Sequence, residues 1–268
     1  MNPEQHYLDI NRQSWNNRTD VHMASAFYDV VGFIKGHTSL KPIELELLGE
    51  VSGQSILHLQ CHFGQDTLSL ARMGANATGV DLSDKAIERA RELAQQTKLG
   101  AKFICCDVYD LPQHLHQTFD IVFTSYGTIG WLPDLEKWAA VVARFLKPGG
   151  RFVFVEFHPV VWMFDNDFRN VHYNYFNTGA IVETESGTYA DKNAPLQAQY
   201  VMWNHSMGEV LNNLIQQGLR IDSLQEYDYS PYNCFNHTTE TAPGQYRIAR
   251  MDNKLPMVYA LTATKPLQ

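Results

Sequence analysis

No apolar run in this chain approaches the roughly 18 residues that a membrane-crossing helix needs. The opening stretch, MNPEQHYLDINRQSW, has no basic segment followed by an apolar core. Neither a membrane span nor a secretory leader is expected, and the expected location is cytoplasmic. Cysteine is scarce: Cys61, Cys105, Cys106 and Cys234 are too few for a disulfide framework in 268 residues and show no C-x-x-C spacing. That pattern fits a reducing compartment. Positive charge is short as well. With 21 Lys and Arg against 29 Asp and Glu, the formal net charge is -8, so no general basic field draws in phosphate backbones and no nucleic-acid partner is expected. Several catalytic signatures are missing: no G-x-x-x-x-G-K-[ST], no G-x-S-x-G elbow and no H-E-x-x-H. The pairs His58/His62 and His114/His116 lack third and fourth ligands at recognisable spacing, so no metal is expected either.

What remains is a chain that is 44% hydrophobic and 19% charged, long enough for one large α/β domain with embellishments. It has no internal repeat, low-complexity tract or obvious linker. Its middle alternates strand-like and helix-like segments, the pattern of a parallel sheet with helices on both faces. SILHLQ (55–60), NATGVDL (76–82), AKFICCD (101–107), FDIVFTSY (119–126) and RFVFVEFHP (151–159) read as strands. DTLSLARMG (66–74) reads as a helix. SDKAIERARELAQQTKLG (83–100) reads as another, with Ser83 as N-cap and Gly100 as its stop, and PDLEKWAAVVARFLKPGG (133–150) as a third closed by Pro-Gly-Gly. Right-handed crossovers then gather ligands at the carboxyl ends of the strands, near the switch point beside the first.

At that point stands ILHLQCHFGQDTLSLA (56–71), a strand running into a helix through a turn poor in glycine. In dinucleotide-binding folds the second glycine of the turn lets the backbone touch a pyrophosphate. Here that place is His62, which argues against a nicotinamide or flavin dinucleotide. A ligand without phosphates can still fit, and the zwitterionic tail of S-adenosylmethionine needs only a few hydrogen bonds, which backbone groups and Gln60 can supply.

Residues from about 50 to 160 resemble a class I S-adenosylmethionine-dependent methyltransferase, and HLQCHFGQDTLSLARMGANATGVDLSDKAIERARELA resembles an uncharacterised bacterial, small-molecule branch of that family. The first cofactor loop corresponds to His58–Gly64, including Cys61. There the usual acidic residue and two of three glycines are replaced by His58, Gln60 and His62. The acidic residue ending the second strand corresponds to Asp81 in GVDLS, and the one after the third strand to Asp107 in CCDVYDLP. FDIVFTSYG, with Ser125 and Tyr126, resembles the fourth-strand motif, and FLKPGGRFVFVEF the helix, turn and strand that follow it. Independently of the resemblance, Asp81 lies about 20 residues beyond the turn, the distance at which a carboxylate meets ribose hydroxyls in such a unit. Asp107 can accept from the adenine amino group with the Val108 amide facing a ring nitrogen, and Leu82 can pack on the base. The competing readings are that Asp81 only caps the next helix and that Asp107 only forms a turn.

The resemblance implies one domain over 1–268. Residues 1–50 form a helical cover and 51–157 a cofactor-binding core. A lid inserted after the fifth strand spans 158–203, and 204–268 hold a C-terminal helix and closing strands. The implied sheet is doubly wound, mostly parallel and seven-stranded, with an antiparallel last strand. By the same likeness Trp15 and Arg18 cover the cofactor, Arg18 pairing its carboxylate bidentately; a helix that only packs on the sheet is the alternative. The lid is aromatic, with Trp162, Phe164, Phe168, Tyr173, Tyr175, Phe176 and Trp203, and acidic around a hairpin at ESGTYAD. A loop of this length is usually a binding element, and a second small core is the alternative. SPYNCFNHTTETAPGQYRIARMDNK is expected to be a loop at the same face. If the acceptor needs a general base, His22, Tyr28, Tyr126 and His158 qualify by position alone. The implied activity is methyl transfer from S-adenosylmethionine to a small-molecule acceptor. The alternative is a catalytically silent cofactor-binding sensor or interaction module with the same fold. The sequence says nothing of oligomeric state.

Overall fold

The computed structural model describes residues 3–267. A 3-10 turn leads into three helices, α1 (Tyr7–Ala24), α2 (Val30–Ile34) and α3 (Pro42–Leu48). The alternating middle then follows as β1 (Ser55–Leu59), α4 (Gln65–Arg72), β2 (Asn76–Asp81), α5 (Asp84–Thr97), β3 (Lys102–Cys105), α6 (Leu111–His114), β4 (Phe119–Ser125), α7 (Leu135–Phe145) and β5 (Leu146–Phe157). The rest comprises β6 (Ile181–Ser186), β7 (Gln197–Met202), α8 (Met207–Gln216), β8 (Arg220–Tyr227), β9 (Thr238–Ala242), β10 (Gln245–Ile248) and β11 (Val258–Thr264).

Seven strands form one sheet in the order β3-β2-β1-β4-β5-β11-β8. The pairs from β3 to β5 are parallel, and β11 runs antiparallel to both β5 and β8. The order reverses between β1 and β4, so their connections leave to opposite sides and a crevice opens at their carboxyl ends. The central strands are apolar on both faces because both are covered: Ile56, Leu57, Ile121, Val122 and Phe123 are fully buried. On one face Trp138 of α7 packs against Phe152 and Phe154 at ring distances of 5.6 and 5.4 Å. The other face carries the cluster of Leu48, Ile56, Leu70 and Phe123 under α3 and α4. Each such side chain gains about 1.5–3 kcal/mol from burial.

Three local expectations change. α5 ends at Thr97, not Gly100, because Lys98 takes the left-handed turn at φ 56°. α7 ends at Phe145, and Pro148-Gly149-Gly150 lies within the first part of β5 instead of closing the helix. The reason is a pairing that the local sequence does not record: the Gly149 amide donates to the Lys265 carbonyl, and the Lys265 amide to that of Gly150. The stretch 230–254 is not a plain loop, since β9 and β10 pair within it. The hairpin expected at ESGTYAD is there, but its strands β6 and β7 are longer and flank a wide 187–196 connection.

α1 lies across the carboxyl end of the sheet. Asn11 docks it on β7, donating through Nδ2 to the Val201 carbonyl and accepting from the Val201 amide, both at 2.9 Å. The side-chain amide thus replaces a strand neighbour. Near the other end Asn16 accepts from the Ser83 hydroxyl at 2.6 Å, tying α1 to the start of α5.

A methyl group at Gly150 would lie 2.9 Å from the Lys147 carbonyl oxygen and 3.1 Å from those of Asp120 and Phe119, whereas one at Gly100 would meet nothing within 4 Å. Gly150→Ala is therefore expected to lower stability by about 1–3 kcal/mol, read as a fall in thermal midpoint, with Gly100→Ala close to neutral. Equal effects would contradict this account.

Candidate cofactor and acceptor site

A cavity of about 840 Å³ opens at the carboxyl ends of β1, β2, β4 and β5 beneath α1 and the β6–β7 hairpin. Every residue assigned above to the cofactor lines it: Trp15, Arg18, His58, Gln60, Cys61, Gly64, Asp81, Leu82, Asp107, Val108, Ser125 and Tyr126.

The turn after β1 makes do with few glycines by bending two side-chain-bearing residues into the left-handed region, Gln60 at φ 55° and His62 at φ 51°. Each costs about 1–3 kcal/mol and persists only where surrounding bonds over-determine it. Those bonds are present. The Cys61 amide donates to the Val80 carbonyl at 2.9 Å, and the His62 amide to Asp81 Oδ2 at 2.7 Å. Gln60 Nε2 donates to the Thr128 carbonyl at 2.8 Å, while its Oε1 is buried without a partner among the described residues. Gly64 is needed as glycine, with φ 77° and a Cβ position only 2.6 Å from the Phe103 ring. His58 stands where the resemblance puts an acid, and its Nδ1 shares a 2.8 Å bond with the Thr67 hydroxyl, fastening β1 to α4.

Two carboxylates organise the crevice through backbone amides. Asp81 accepts from the His62 amide and, through Oδ1, from the Ser83 amide at 2.9 Å. Burial raises its pKa to about 6, against the pull of those amides. α5 is capped by the Ser83 hydroxyl, which accepts from the Ala86 amide at 3.0 Å, so capping is not the sole work of Asp81. Asp107 does form a turn, accepting from the Tyr109 amide at 3.2 Å through Oδ1. Glu156, which the sequence reading missed, ends β5 inside the protein and gathers the amides of Gly127, Thr128, Ile129 and Phe157 and the Thr128 hydroxyl. Its signal was legible as a lone acid in the apolar run FVFVEF.

The roof is aromatic and carries one buried cation. Arg18 is 3% exposed, and its guanidinium lies between 5.2 and 5.8 Å from the rings of Tyr200, Trp15 and Trp131. Its Nη2 donates to Glu185 of β6 at 3.0 Å, and its Nε has no partner among the described residues. The guanidinium fork expected to grip a cofactor carboxylate is therefore partly engaged already, leaving the Nε edge. His22, one helical turn on, is fully buried and does not line the cavity; its Nδ1 lies 2.9 Å from His62 Nε2. Burial lowers the His22 pKa to about 3 and pushes that of His62 well down, so the two are neutral and one donates to the other.

Of the four general-base candidates, Tyr28 and Tyr126 face the cavity, whereas His22 and His158 do not. His158 accepts from the Val160 amide at Nδ1 and donates from Nε2 to Glu226 at 2.8 Å, a link between β5 and β8 that leaves no nitrogen for chemistry. Tyr126 donates at 2.8 Å to Glu44, a fully buried acid on α3 whose pKa burial raises to about 8. Nothing in the sequence pattern singled out Glu44. The aromatics of the 158–203 segment divide: Trp162, Phe164, Phe168 and Trp203 line the cavity, while Tyr175 lies outside it with its hydroxyl accepting from the Met207 amide at 3.2 Å. Tyr232 and Phe235, from the stretch read as a loop, join the wall.

Residues 56–150 match a family model described as a methyltransferase domain. An uncharacterised methyltransferase of Synechocystis is 36% identical over 133 residues, 49% of this chain and 60% of that protein. A ubiquinone biosynthesis O-methyltransferase of Coxiella burnetii is 29% identical over 135 residues, 49% of this chain and 57% of that protein. The matches thus span less than two-thirds of these curated relatives. The crystal structure of geranyl diphosphate C-methyltransferase from Streptomyces coelicolor superposes over 99% of this chain and 100% of its own with a TM-score of 0.61 at 15% identity, a likeness of fold.

The neutral histidines make stability depend on pH. A histidine free in the unfolded chain takes a proton near pH 6.5, but His22 and His58 resist until about pH 3. Between these values the unfolded state binds more protons, so stability falls as pH drops from about 6.5 toward 3. Glu44 and Asp81, with pKa values raised to about 8 and about 6, act in the opposite sense, so the histidine share is read as a difference: between about pH 7.5 and about pH 5 the urea midpoint of His22→Phe should fall less, or rise more, than that of the wild type; an identical pH dependence would disprove the assignment.

Proposed function

We propose that this chain, whose residues 56–150 form a class I S-adenosylmethionine-dependent methyltransferase domain, transfers a methyl group from S-adenosylmethionine to a small molecule. The observation that carries the reading is a complementary pair of unsatisfied buried atoms in one cavity. Arg18 Nε is a donor and Gln60 Oε1 an acceptor, the complement of an amino-acid end that presents a carboxylate and an ammonium. Asp81, with two amides already bound, keeps lone pairs for the ribose hydroxyls. Asp107 keeps one oxygen for an adenine amino group, and Leu82 and Val108 offer apolar contact to the base.

Bound there, the cofactor supplies a sulfonium methyl that is already electrophilic. The protein's share is to orient the acceptor and keep water out, which suits a cavity roofed by Trp15, Trp131 and the β6–β7 hairpin and walled by Trp162 and Tyr232. About 840 Å³ leaves room for a cofactor and a compact acceptor. Relatives whose names specify ubiquinone biosynthesis and geranyl diphosphate support a small molecule as acceptor. A binding-only role draws on Gln60 and His62 filling the turn, and incubation with labelled methyl donor and a metabolite extract separates the two: a labelled small product eliminates it.

Calorimetry is expected to show binding of S-adenosylhomocysteine and none of NAD; the reverse would sink the proposal. Asp81→Ala should lose hydrogen bonds to a charged acceptor worth roughly 1.5–3 kcal/mol each, weakening S-adenosylhomocysteine about tenfold or more with the fold retained. Because Asp81 accepts ribose hydroxyls best when ionised and its pKa is raised to about 6, wild-type affinity should fall as pH drops below that value. The loss should vanish in Asp81→Asn. Trp162→Ala should leave this affinity within about a few-fold while altering turnover.

A further inference from the structure

We infer that the acceptor is a compact zwitterion with an apolar body, its ammonium seated at Asp66 and its carboxylate at Lys41; this rests on the methyl-transfer reading of the same cavity. Asp66, at the start of α4, lines the cavity and accepts from hydroxyls, Ser125 at 3.5 Å and Ser39. No cation lies within 4 Å of it among the described residues. Lys41 lines the same cavity; its backbone amide donates to Glu44 at 2.8 Å, while its Nζ has no carboxylate within 4 Å among the described residues and rests 4.7 Å from the centre of the Tyr232 ring. Burial raises the pKa of Asp66, and the hydroxyls and Lys41 pull against it; the two charged groups are near enough to interact, yet they do not meet.

The other charged groups of the cavity have partners. Arg18 holds Glu185, Lys192 donates to the Asn236 side chain, and Asp29, Asp81, Asp107, Asp165 and Glu156 accept from backbone amides. Glu44, behind Tyr126, is held mostly uncharged at neutral pH by burial and by Asp66, so it adds no second full negative charge. Asp66 and Lys41 thus face a space walled by rings without an opposite charge within 4 Å among the described residues, where unpaired charges are costly and paired ones strong. An acceptor with an ammonium alone would meet Asp66 but be repelled by Lys41, and one with a carboxylate alone would meet the opposite fault. A zwitterion pairs both. Beside Lys41, Phe27 stacks on Tyr232 at 5.5 Å and Tyr126 stands edge-on to Tyr232 at 5.1 Å, a surface for a flat or branched apolar body.

The test is calorimetry on the full chain saturated with S-adenosylhomocysteine, using two matched sets of probes. L-phenylalanine, 2-phenylethylamine and 3-phenylpropionate share a ring and linker and differ in charge; 4-(aminomethyl)benzoate, benzylamine and benzoate do the same with the charges further apart. In at least one set the zwitterion should bind on the order of tenfold more tightly than either singly charged relative. Lys41→Met should bring it down to the amine, and Asp66→Asn to the acid. An amine or an acid that binds as tightly as its zwitterion overturns the inference, and so does failure of both zwitterions to bind while S-adenosylhomocysteine binds. Failure of S-adenosylhomocysteine itself would instead refute the cofactor reading. The wild-type comparison stands even if a variant does not fold.

Discussion

Glu156 is the residue on which the crevice depends. Where β4 ends, the chain must leave the sheet with its amides unpaired, and a buried unpaired amide costs about 1–3 kcal/mol. One carboxylate at the end of the neighbouring β5 answers the amides of Gly127, Thr128 and Ile129 together and thereby fixes the loop that carries Tyr126 and Trp131. The same contact places the Thr128 carbonyl where Gln60 reaches it, so the β4 loop and the strained β1 turn are set against one another. Asp81 repeats the device across the crevice with the amides of His62 and Ser83. Two acids, each neutralised by backbone dipoles, hold open the space between them.

This arrangement explains how the turn dispenses with glycine. A turn of several glycines would reach its shape without strain but would need other groups to hold a ligand. Here Gln60 and His62 accept left-handed backbone geometry, and their side chains become part of the wall. The His22–His62 bond extends that wall into α1, and Asn11 extends α1 onto β7. Turn, helix and hairpin are therefore coupled, and a shift in one is felt at the others.

Charge divides the cavity by function. On the side of β1 to β3, carboxylates and backbone groups face the region read as the cofactor's; on the side of α3, the 225–235 stretch and the 158–203 segment, rings predominate. The cation of the roof, Arg18, is held by three rings and one acid from four separate elements, which keeps a buried guanidinium in place while leaving one edge free. A methyl donor that is itself a sulfonium cation suits such surroundings, since aromatic faces and acids stabilise positive charge without reacting with it.

Much of the scaffold was readable from the chain because it rests on short-range pattern. Apolar runs of strand length, the Ser83 cap and the positions of Asp81 and Asp107 at strand ends follow from periodicity and spacing, and the seven-stranded order agrees with them. The wall of the site was not readable in the same way. Arg18 meets Glu185 across 167 residues, Asn11 meets Val201 across 190, and Tyr126 meets Glu44 across 82. Pattern in a sequence records what a residue does to its neighbours along the chain. It carries no trace of which distant polar group will satisfy a buried one. The sequence by itself determined the strands, the switch point and the carboxylates at their ends; tertiary packing alone decided that His158 links two strands, that Arg18 spends part of its fork on the lid, and that Asp66 and Lys41 face one cavity unpaired.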